Sequence, residues 1–207
     1  MELFNSAAIL CGGKSSRMRY DKSRLIIDGK FIIDLIKDEL LKEFADVIYI
    51  VNDLKRFDYE KIFVDVYLGC GPAGAIYTAL LKSTSKYVFV TACDMPFVNI
   101  DYINYMKNIL INKKCDCLIT KKGEWIEPLF AFYSKDMIEI FKKNIERENY
   151  KLFDVIKESN YYAIEEKEAK KFSADLDMFF NLNYQKDLEV LFKRFRRVEY
   201  YRDNKKL

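Results

Sequence analysis

Histidine is absent from this 207-residue sequence, and proline (three residues), glycine (seven) and tryptophan (one) are scarce. Without an imidazole, acid–base chemistry would fall to Asp, Glu, Lys, Tyr or water, which favours a reaction that needs mainly charge stabilisation. The five cysteines show no C-x-x-C spacing. Together with the lack of His, this excludes most zinc-site patterns and predicts that the cysteines are small buried hydrophobic residues.

Long apolar runs and a strong charge of one sign are also missing. No apolar stretch approaches the roughly 18 residues needed to cross a bilayer, and the first residues carry no basic segment, so we expect a cytoplasmic protein without a membrane partner. Lys and Arg (35) nearly balance Asp and Glu (32), which argues against nucleic acid as a partner. With no Pro-rich linker, the pattern predicts one domain over residues 1–197 and a basic tail over residues 198–207.

Short buried runs alternate with segments of helical periodicity along the chain. The runs Ala7–Leu10, Val47–Val51, Ile62–Val66 and Tyr87–Thr91 predict buried strands. Helical spacing lies between most of them, and a last helix is predicted over Tyr184–Phe195. This β/α alternation predicts a three-layer α/β/α fold with a mostly parallel central sheet.

A glycine pair followed by basic residues ends the first predicted strand. Gly12 and Gly13 allow a tight turn whose N–H groups can approach an anion, and Lys14, Arg17 and Lys22 follow closely. The loop is not a P-loop, because Ala8 stands where that motif needs its first glycine. It is not a dinucleotide fingerprint either, since the next glycine after the pair is Gly29.

The stretch from Leu10 to Lys22, LCGGKSSRMRYDK, resembles the signature L-A-G-G-x-S-x-R-M-G-x-D-K of the molybdenum cofactor guanylyltransferases. It differs from that family's pattern by Cys11 for alanine and Arg19 for glycine, and Arg24 follows where an apolar residue is usual. The resemblance implies a Rossmann-like nucleotidyltransferase fold. It also implies transfer of GMP from Mg-GTP to molybdopterin with release of pyrophosphate, and protein partners that deliver or receive the cofactor.

Other segments resemble the same family. Gly71–Gly74 resembles its G-P-L-A-G loop, and Cys93–Pro96 resembles its C-D-x-P motif. Glu127–Phe130 is similar to Q-P-L-F, and Phe180–Asn183 is similar to F-x-N-x-N. The resemblance therefore extends over most of the predicted domain.

These matches imply roles for individual residues. Arg17 and Lys22 would stabilise the departing pyrophosphate, Asp94 would hold Mg²⁺, and Asn181 and Asn183 would contact the pterin. The implied nucleotide-binding residues are Leu10, Cys11, Gly12, Gly13, Lys22, Asn52, Asp65 and Asp94.

Each of these roles has a structural alternative. Asp94 precedes a predicted helix and could be its N-cap, while Asn52 and Asp65 could be turn formers. Asn181 and Asn183 could belong to a turn and an N-cap before the last helix.

Two other functions stay open at this point. A related transferase could use CTP or another acceptor, although cytidylyltransferases of this group usually carry L-A-A-G where Gly12 stands. The bulky Arg19 and Arg24 could instead indicate a nucleotide-binding module without catalysis.

Overall fold

A computed structural model describes residues 2–12, 25–54 and 59–200, and it has the predicted three-layer α/β/α architecture with a mostly parallel central sheet. No helix within these residues is long and apolar enough to cross a membrane.

Strands and helices alternate through the described residues. The strands are β1 (Ser6–Leu10), β2 (Leu25–Ile27), β3 (Lys30–Phe31), β4 (Asp46–Val51), β5 (Ile62–Val64), β6 (Tyr87–Ala92), β7 (Cys117–Lys122), β8 (Trp125–Ser134), β9 (Tyr161–Ile164) and β10 (Val198–Tyr200). The α-helices are α1 (Ile32–Leu40), α2 (Gly71–Lys82), α3 (Ile100–Lys113), α4 (Ile138–Glu146), α5 (Leu152–Lys157), α6 (Glu166–Ala169) and α7 (Leu188–Arg194).

The central sheet has seven strands in the order β5-β4-β1-β6-β8-β7-β9, counted over the described residues. β8 is antiparallel to both of its neighbours, and the remaining pairings are parallel. Because β1 lies between β4 and β6, the chain leaves β1 in one direction and later returns on its other side. Ligands of open α/β sheets bind outside the carboxyl ends of the strands at such a reversal.

Helices cover both faces of the sheet, which explains why the central strands β1, β4 and β6 are buried along their whole length. Successive residues of β1 point to opposite faces: Ala7 and Ile9 join one buried cluster, and Ala8 and Leu10 join the other. Apolar residues of α1, α3 and α7 complete the first cluster, and those of α2, α4 and α5 complete the second.

A small second sheet, in the order β10-β2-β3, is antiparallel and was not among the expectations from sequence. Asp28 (φ 49°) and Gly29 (φ 85°) form the tight turn between β2 and β3. Asp28 also joins this turn to the end of the chain, because its carboxylate accepts a hydrogen bond from the Arg197 N–H at 2.7 Å. The boundary predicted after residue 197 therefore lies immediately before β10, and residues 201–207 are outside the described part.

Two predicted elements are shorter in the structure. The third strand ends at Val64, so that Asp65 follows it. The last helix begins at Leu188 instead of Tyr184, because a 3₁₀ turn over Gln185–Asp187 precedes it. The Asp187 carboxylate holds this turn by accepting from the N–H groups of Asn183 and Tyr184 at 2.8 and 2.7 Å.

Candidate active site

Four of the predicted site residues follow the carboxyl ends of neighbouring parallel strands. Asp65 follows β5, Asn52 follows β4, Gly12 comes shortly after β1, and Asp94 comes shortly after β6. These strands are adjacent in the order β5-β4-β1-β6. At about 4.8 Å per step between strands, the four residues are spread over about 14 Å of one sheet edge.

The backbone at the centre of this edge is held from both sides. The Cys11 N–H donates to the Ile50 carbonyl at 2.8 Å, and the Cys93 N–H donates to the Leu10 carbonyl at 3.1 Å. The parallel ladder of β1 thus continues beyond its last residue, which fixes where the glycine loop begins. The other predicted residues of this loop, Gly13, Arg17 and Lys22, lie outside the described residues.

Gly12 lies directly against the side chain of Asn52. A Cβ atom at position 12 would be 2.9 Å from Asn52 Oδ1 and 3.4 Å from its Cγ, which is closer than non-bonded carbon and oxygen atoms approach. Both residues are exposed. Because Gly12 has no side chain, the Asn52 carboxamide can lie directly against its backbone.

Asp65 is almost fully buried, with 5% of its surface exposed. Its Oδ1 accepts hydrogen bonds from the Tyr67 N–H at 3.0 Å and from the Thr78 hydroxyl at 2.9 Å. Burial raises the pKa of Asp65, and these two bonds oppose the rise. The bond to the residue two positions ahead makes Asp65 a turn former, as the alternative reading of the sequence held.

Asp65 has two close neighbours on α2, and one of them, Thr78, was not singled out from the sequence. Thr78 is fully buried, and Gly74 is so close that a Cβ there would be 2.9 Å from Asp65 Oδ2 and 2.7 Å from the Tyr67 carbonyl oxygen. Gly74 belongs to the Gly71–Gly74 segment that resembles the family's G-P-L-A-G loop. Thr78 offered only one local signal, its position one helical turn after that glycine.

Asp94 lies in the loop between β6 and α3 and is partly buried. It is not the N-cap of the following helix: α3 begins at Ile100, and the Asn99 side chain caps it by accepting from the Tyr102 N–H at 2.9 Å. The structure thereby removes the capping alternative for Asp94.

The segment with the two predicted acceptor-site asparagines packs on the Asp94 loop. The Leu182 N–H donates to the Asp94 carbonyl at 2.9 Å, so Asn181 and Asn183 flank the point of contact. Leu182 is buried while both asparagines are partly exposed, and the segment is not a strand. The Asn181 side chain donates to the Phe179 carbonyl at 3.2 Å.

Glu127 reaches the same region because β8 runs antiparallel to β6. Phe130 of β8 pairs with Thr91 of β6. Three residues back along β8 is Glu127, and three residues forward from Thr91 is Asp94, so both lie beyond the paired part of the ladder at the same sheet edge.

The pKa of Glu127 reflects both its burial and the charge of nearby Asp94. Burial is the main cause that raises the pKa of Glu127, and the nearby Asp94 raises it further. A hydrogen bond from the Leu129 N–H at 3.0 Å and the charge of Lys122 lower it.

The oxygen ligands at this edge suit Mg²⁺, which binds one or two carboxylates and completes its shell with water and substrate phosphates. Across the residues that the structure describes, no group of three or more His, Cys, Asp or Glu side chains is placed to hold a metal ion. Asp94 would supply one such carboxylate.

Known proteins resemble this chain over nearly its whole length. A family profile described as "MobA-like NTP transferase domain" matches residues 7–161. A protein named "Probable molybdenum cofactor guanylyltransferase" from Peptoclostridium acidaminophilum is 39% identical over 194 residues, which cover 90% of this chain and 88% of the relative. "Molybdenum cofactor guanylyltransferase" from Syntrophotalea carbinolica is 37% identical over 188 residues, with 90% of each chain covered.

A solved structure agrees with the fold. Molybdopterin-guanine dinucleotide biosynthesis protein A from Archaeoglobus fulgidus superposes with a TM-score of 0.80 at 24% identity, covering 91% of this chain and 97% of that protein. At this identity the match supports the architecture alone. The family profile and the two sequence relatives go further, and by them this chain belongs to the MobA-like NTP transferase family.

Proposed function

We propose that this protein transfers GMP from Mg-GTP to molybdopterin, releasing pyrophosphate and forming a guanine dinucleotide cofactor. The single observation that carries the proposal is the position of Asp94. It lies on one sheet edge between the residues predicted to bind the nucleotide and the asparagine segment predicted to bind the acceptor.

The nucleotide would lie along the edge from β5 to β6. Its base would contact Asp65 and Asn52, and its phosphates would lie against the N–H groups of the loop that starts at Leu10 and Cys11. Gly12 and Gly13 would let the loop backbone approach the phosphates closely. Arg17 and Lys22 would neutralise the charge that grows on the leaving pyrophosphate.

The acceptor would lie beyond Asp94, beside Asn181 and Asn183. A phosphate oxygen of molybdopterin attacks the α-phosphorus of GTP, the new P–O bond forms, and the bond to the β-phosphate oxygen breaks in line with it. Mg²⁺, when bound at Asp94, supplies charge neutralisation at the phosphate oxygens. Amide side chains suit a pterin, because each presents both a hydrogen-bond donor and an acceptor.

The reaction calls for cytoplasmic GTP and molybdopterin as substrates, and for proteins that deliver or receive the cofactor. These partners and the cytoplasmic location are part of the proposal.

Pyrophosphate release by the purified protein tests the function. We expect release with Mg²⁺, GTP and molybdopterin together, and not when CTP replaces GTP. Asp94→Ala should abolish it, whereas Asp101→Ala, which removes an exposed carboxylate from the first turn of α3, should retain it.

Each other outcome contradicts a different part of the proposal. Full activity of Asp94→Ala would remove Asp94 from the metal site. Release that depends on CTP would move the protein to a cytidylyltransferase activity. GTP binding without release, when a known guanylyltransferase turns over the same acceptor preparation, would indicate a binding module.

A further inference from the structure

A buried hydroxyl, that of Thr78, lies behind the Asp65 carboxylate. Thr78 Oγ1 is 2.9 Å from the Val66 N–H nitrogen, 2.9 Å from Asp65 Oδ1 and 3.0 Å from the Gly74 carbonyl oxygen. Val66 can only donate, so Thr78 accepts that bond. Its single proton remains for either Asp65 or Gly74.

The carboxylate is the stronger acceptor of the two. Hydrogen bonds to an ionised group are about twice as strong as those between neutral groups. The Gly74 carbonyl, in contrast, lies within α2 and is four residues before the Thr78 N–H, the spacing of the regular helical bond. With Asp65 ionised, the Thr78 hydroxyl therefore donates to Asp65.

The contacts leave the carboxylate little freedom. Oδ1 is held by Thr78 from α2 and by the Tyr67 N–H from the loop, and Oδ2 lies where a Cβ at Gly74 would come within 2.9 Å of it. Burial raises the pKa of Asp65 and so disfavours its charged form, whereas the hydrogen bonds from both donors lower the pKa. Loss of the Thr78 hydroxyl would take away one of these donors and would leave the Val66 N–H without its acceptor.

We propose that Thr78 is a positioning residue for nucleotide selection: its hydroxyl holds the Asp65 carboxylate in the orientation in which it can accept from the adjacent N1–H and 2-amino groups of guanine. The inference rests on the proposed function through the contact between Asp65 and the base. Cytosine presents acceptors where guanine presents these two donors, and hypoxanthine keeps N1–H but lacks the 2-amino group. The geometry thus connects a helix residue with no ligand contact of its own to the choice of base.

Binding of Mg-GTP and Mg-ITP without acceptor, measured by calorimetry, tests this role apart from turnover. Thr78→Val, which keeps the shape and removes the hydroxyl, should weaken GTP binding about tenfold. ITP binding should weaken less, so that the preference for GTP over ITP falls. Thr78→Ser retains the hydroxyl and should stay within about twofold of the unmodified protein.

Stability is measured on the same samples by urea unfolding. If Thr78→Val does not fold, Thr78→Ala replaces it, because the smaller side chain leaves room for a water molecule at the Val66 N–H. We expect the same loss of preference for GTP in this variant.

Several results would overturn the inference. One is a folded Thr78→Val protein with unchanged GTP affinity; another is an equal loss for GTP and ITP, which would mean that α2 had merely loosened. Asp65→Asn serves as the reference: if it leaves GTP binding unchanged, the contact of Asp65 with the base is wrong and the role of Thr78 falls with it. If Asp65→Asn weakens GTP binding and Thr78→Val does not, only the role of Thr78 is wrong.

Failure of the proposed transfer has a separate signature. The unmodified protein would then bind GTP in preference to ITP but release no pyrophosphate with molybdopterin. The role of Thr78 in base selection would stand in that case.

Discussion

Gly12→Ala is the smallest change that should disturb the nucleotide site without disturbing the fold. The added Cβ would lie 2.9 Å from Asn52 Oδ1, 3.4 Å from Cγ and 3.5 Å from Nδ2. Rotating the carboxamide exchanges its oxygen for its nitrogen without relieving the contact, so the Asn52 side chain must move away by a few tenths of an ångström. Asn52 is exposed and can do so at little cost to stability.

The cost should appear in GTP affinity. A hydrogen bond between neutral groups contributes about 0.5–1.5 kcal/mol. If displacement of the carboxamide removes one such bond to the nucleotide, the dissociation constant for Mg-GTP should rise about 2- to 12-fold. The free energy of unfolding should change by less than about 0.5 kcal/mol.

A double-mutant cycle with Asn52→Ala separates this cause from others. In the Asn52→Ala background the clash is gone, so Gly12→Ala should weaken GTP binding little further. Calorimetric titration of the four proteins measures the coupling. An equal penalty for Gly12→Ala with and without the Asn52 side chain would refute the reasoning, and a gain of CTP-dependent pyrophosphate release would instead assign Gly12 to base selection.

Two further predictions concern stability. Gly74→Ala should lower the free energy of unfolding in urea by about 2–3 kcal/mol, because its Cβ would lie 2.7 Å from the Tyr67 carbonyl oxygen, a backbone atom that cannot move aside. Gly123→Ala is the control, because a Cβ at Gly123 would have open space around it but the residue has a φ of +58°. Its free energy of unfolding should fall by about 1 kcal/mol from backbone strain alone. An equal loss in both variants would contradict the close contact at Gly74. Glu127→Gln should stabilise the protein at neutral pH. Burial raises the pKa of Glu127 in the folded state above its ordinary value of 4.5. The unmodified protein therefore loses stability as the pH rises from that ordinary value through the pKa of the folded state, and the glutamine variant does not. Urea unfolding from pH 4 to 7 should show the two proteins converging at acid pH, and a constant difference would argue against titration of Glu127.

The central sheet could be predicted because its central strands are recognisable from short local stretches of sequence. β1, β4 and β6 are buried on both faces, so each is a nearly continuous apolar run, and Gly12, Asn52 and Asp94, each within two residues of a strand's end, mark the carboxyl edge. The positions of Asn52, Asp65 and Asp94 at that edge follow from the alternation of strands and helices alone.

The second sheet could not be predicted in the same way. Its strands have two or three residues, and β10 pairs with β2 from the far end of the chain, so no periodicity develops. One local signal was present: Asp28-Gly29 is a typical two-residue hairpin turn. It predicts β2 and β3 but cannot reveal their partner.

The surroundings of Asp65 depend on contacts between distant parts of the chain. Thr78 reads as an ordinary residue of an apolar helix, and only the packing of α2 on the loop after β5 turns its hydroxyl toward a buried carboxylate. The early start predicted for the last helix has a similar origin. Helical spacing extends back to Tyr184, but the Asp187 carboxylate accepts from the N–H groups of Asn183 and Tyr184 and holds residues 185–187 in a 3₁₀ turn, so that α7 begins at Leu188.

The reversed direction of β8 explains how Glu127 comes to the carboxyl edge of the parallel strands. In a parallel sheet, only residues that follow strands lie at the carboxyl edge. Because β8 runs the other way, its first half lies there, and Glu127 is carried to the level of Asp94 from inside a strand. The asparagine segment reaches the same place from the far end of the domain, through the bond from the Leu182 N–H to the Asp94 carbonyl. Parallel strands thus supply the side of the edge with the residues predicted to bind the nucleotide, and an antiparallel strand with a late segment supplies the side with the residues predicted to bind the acceptor.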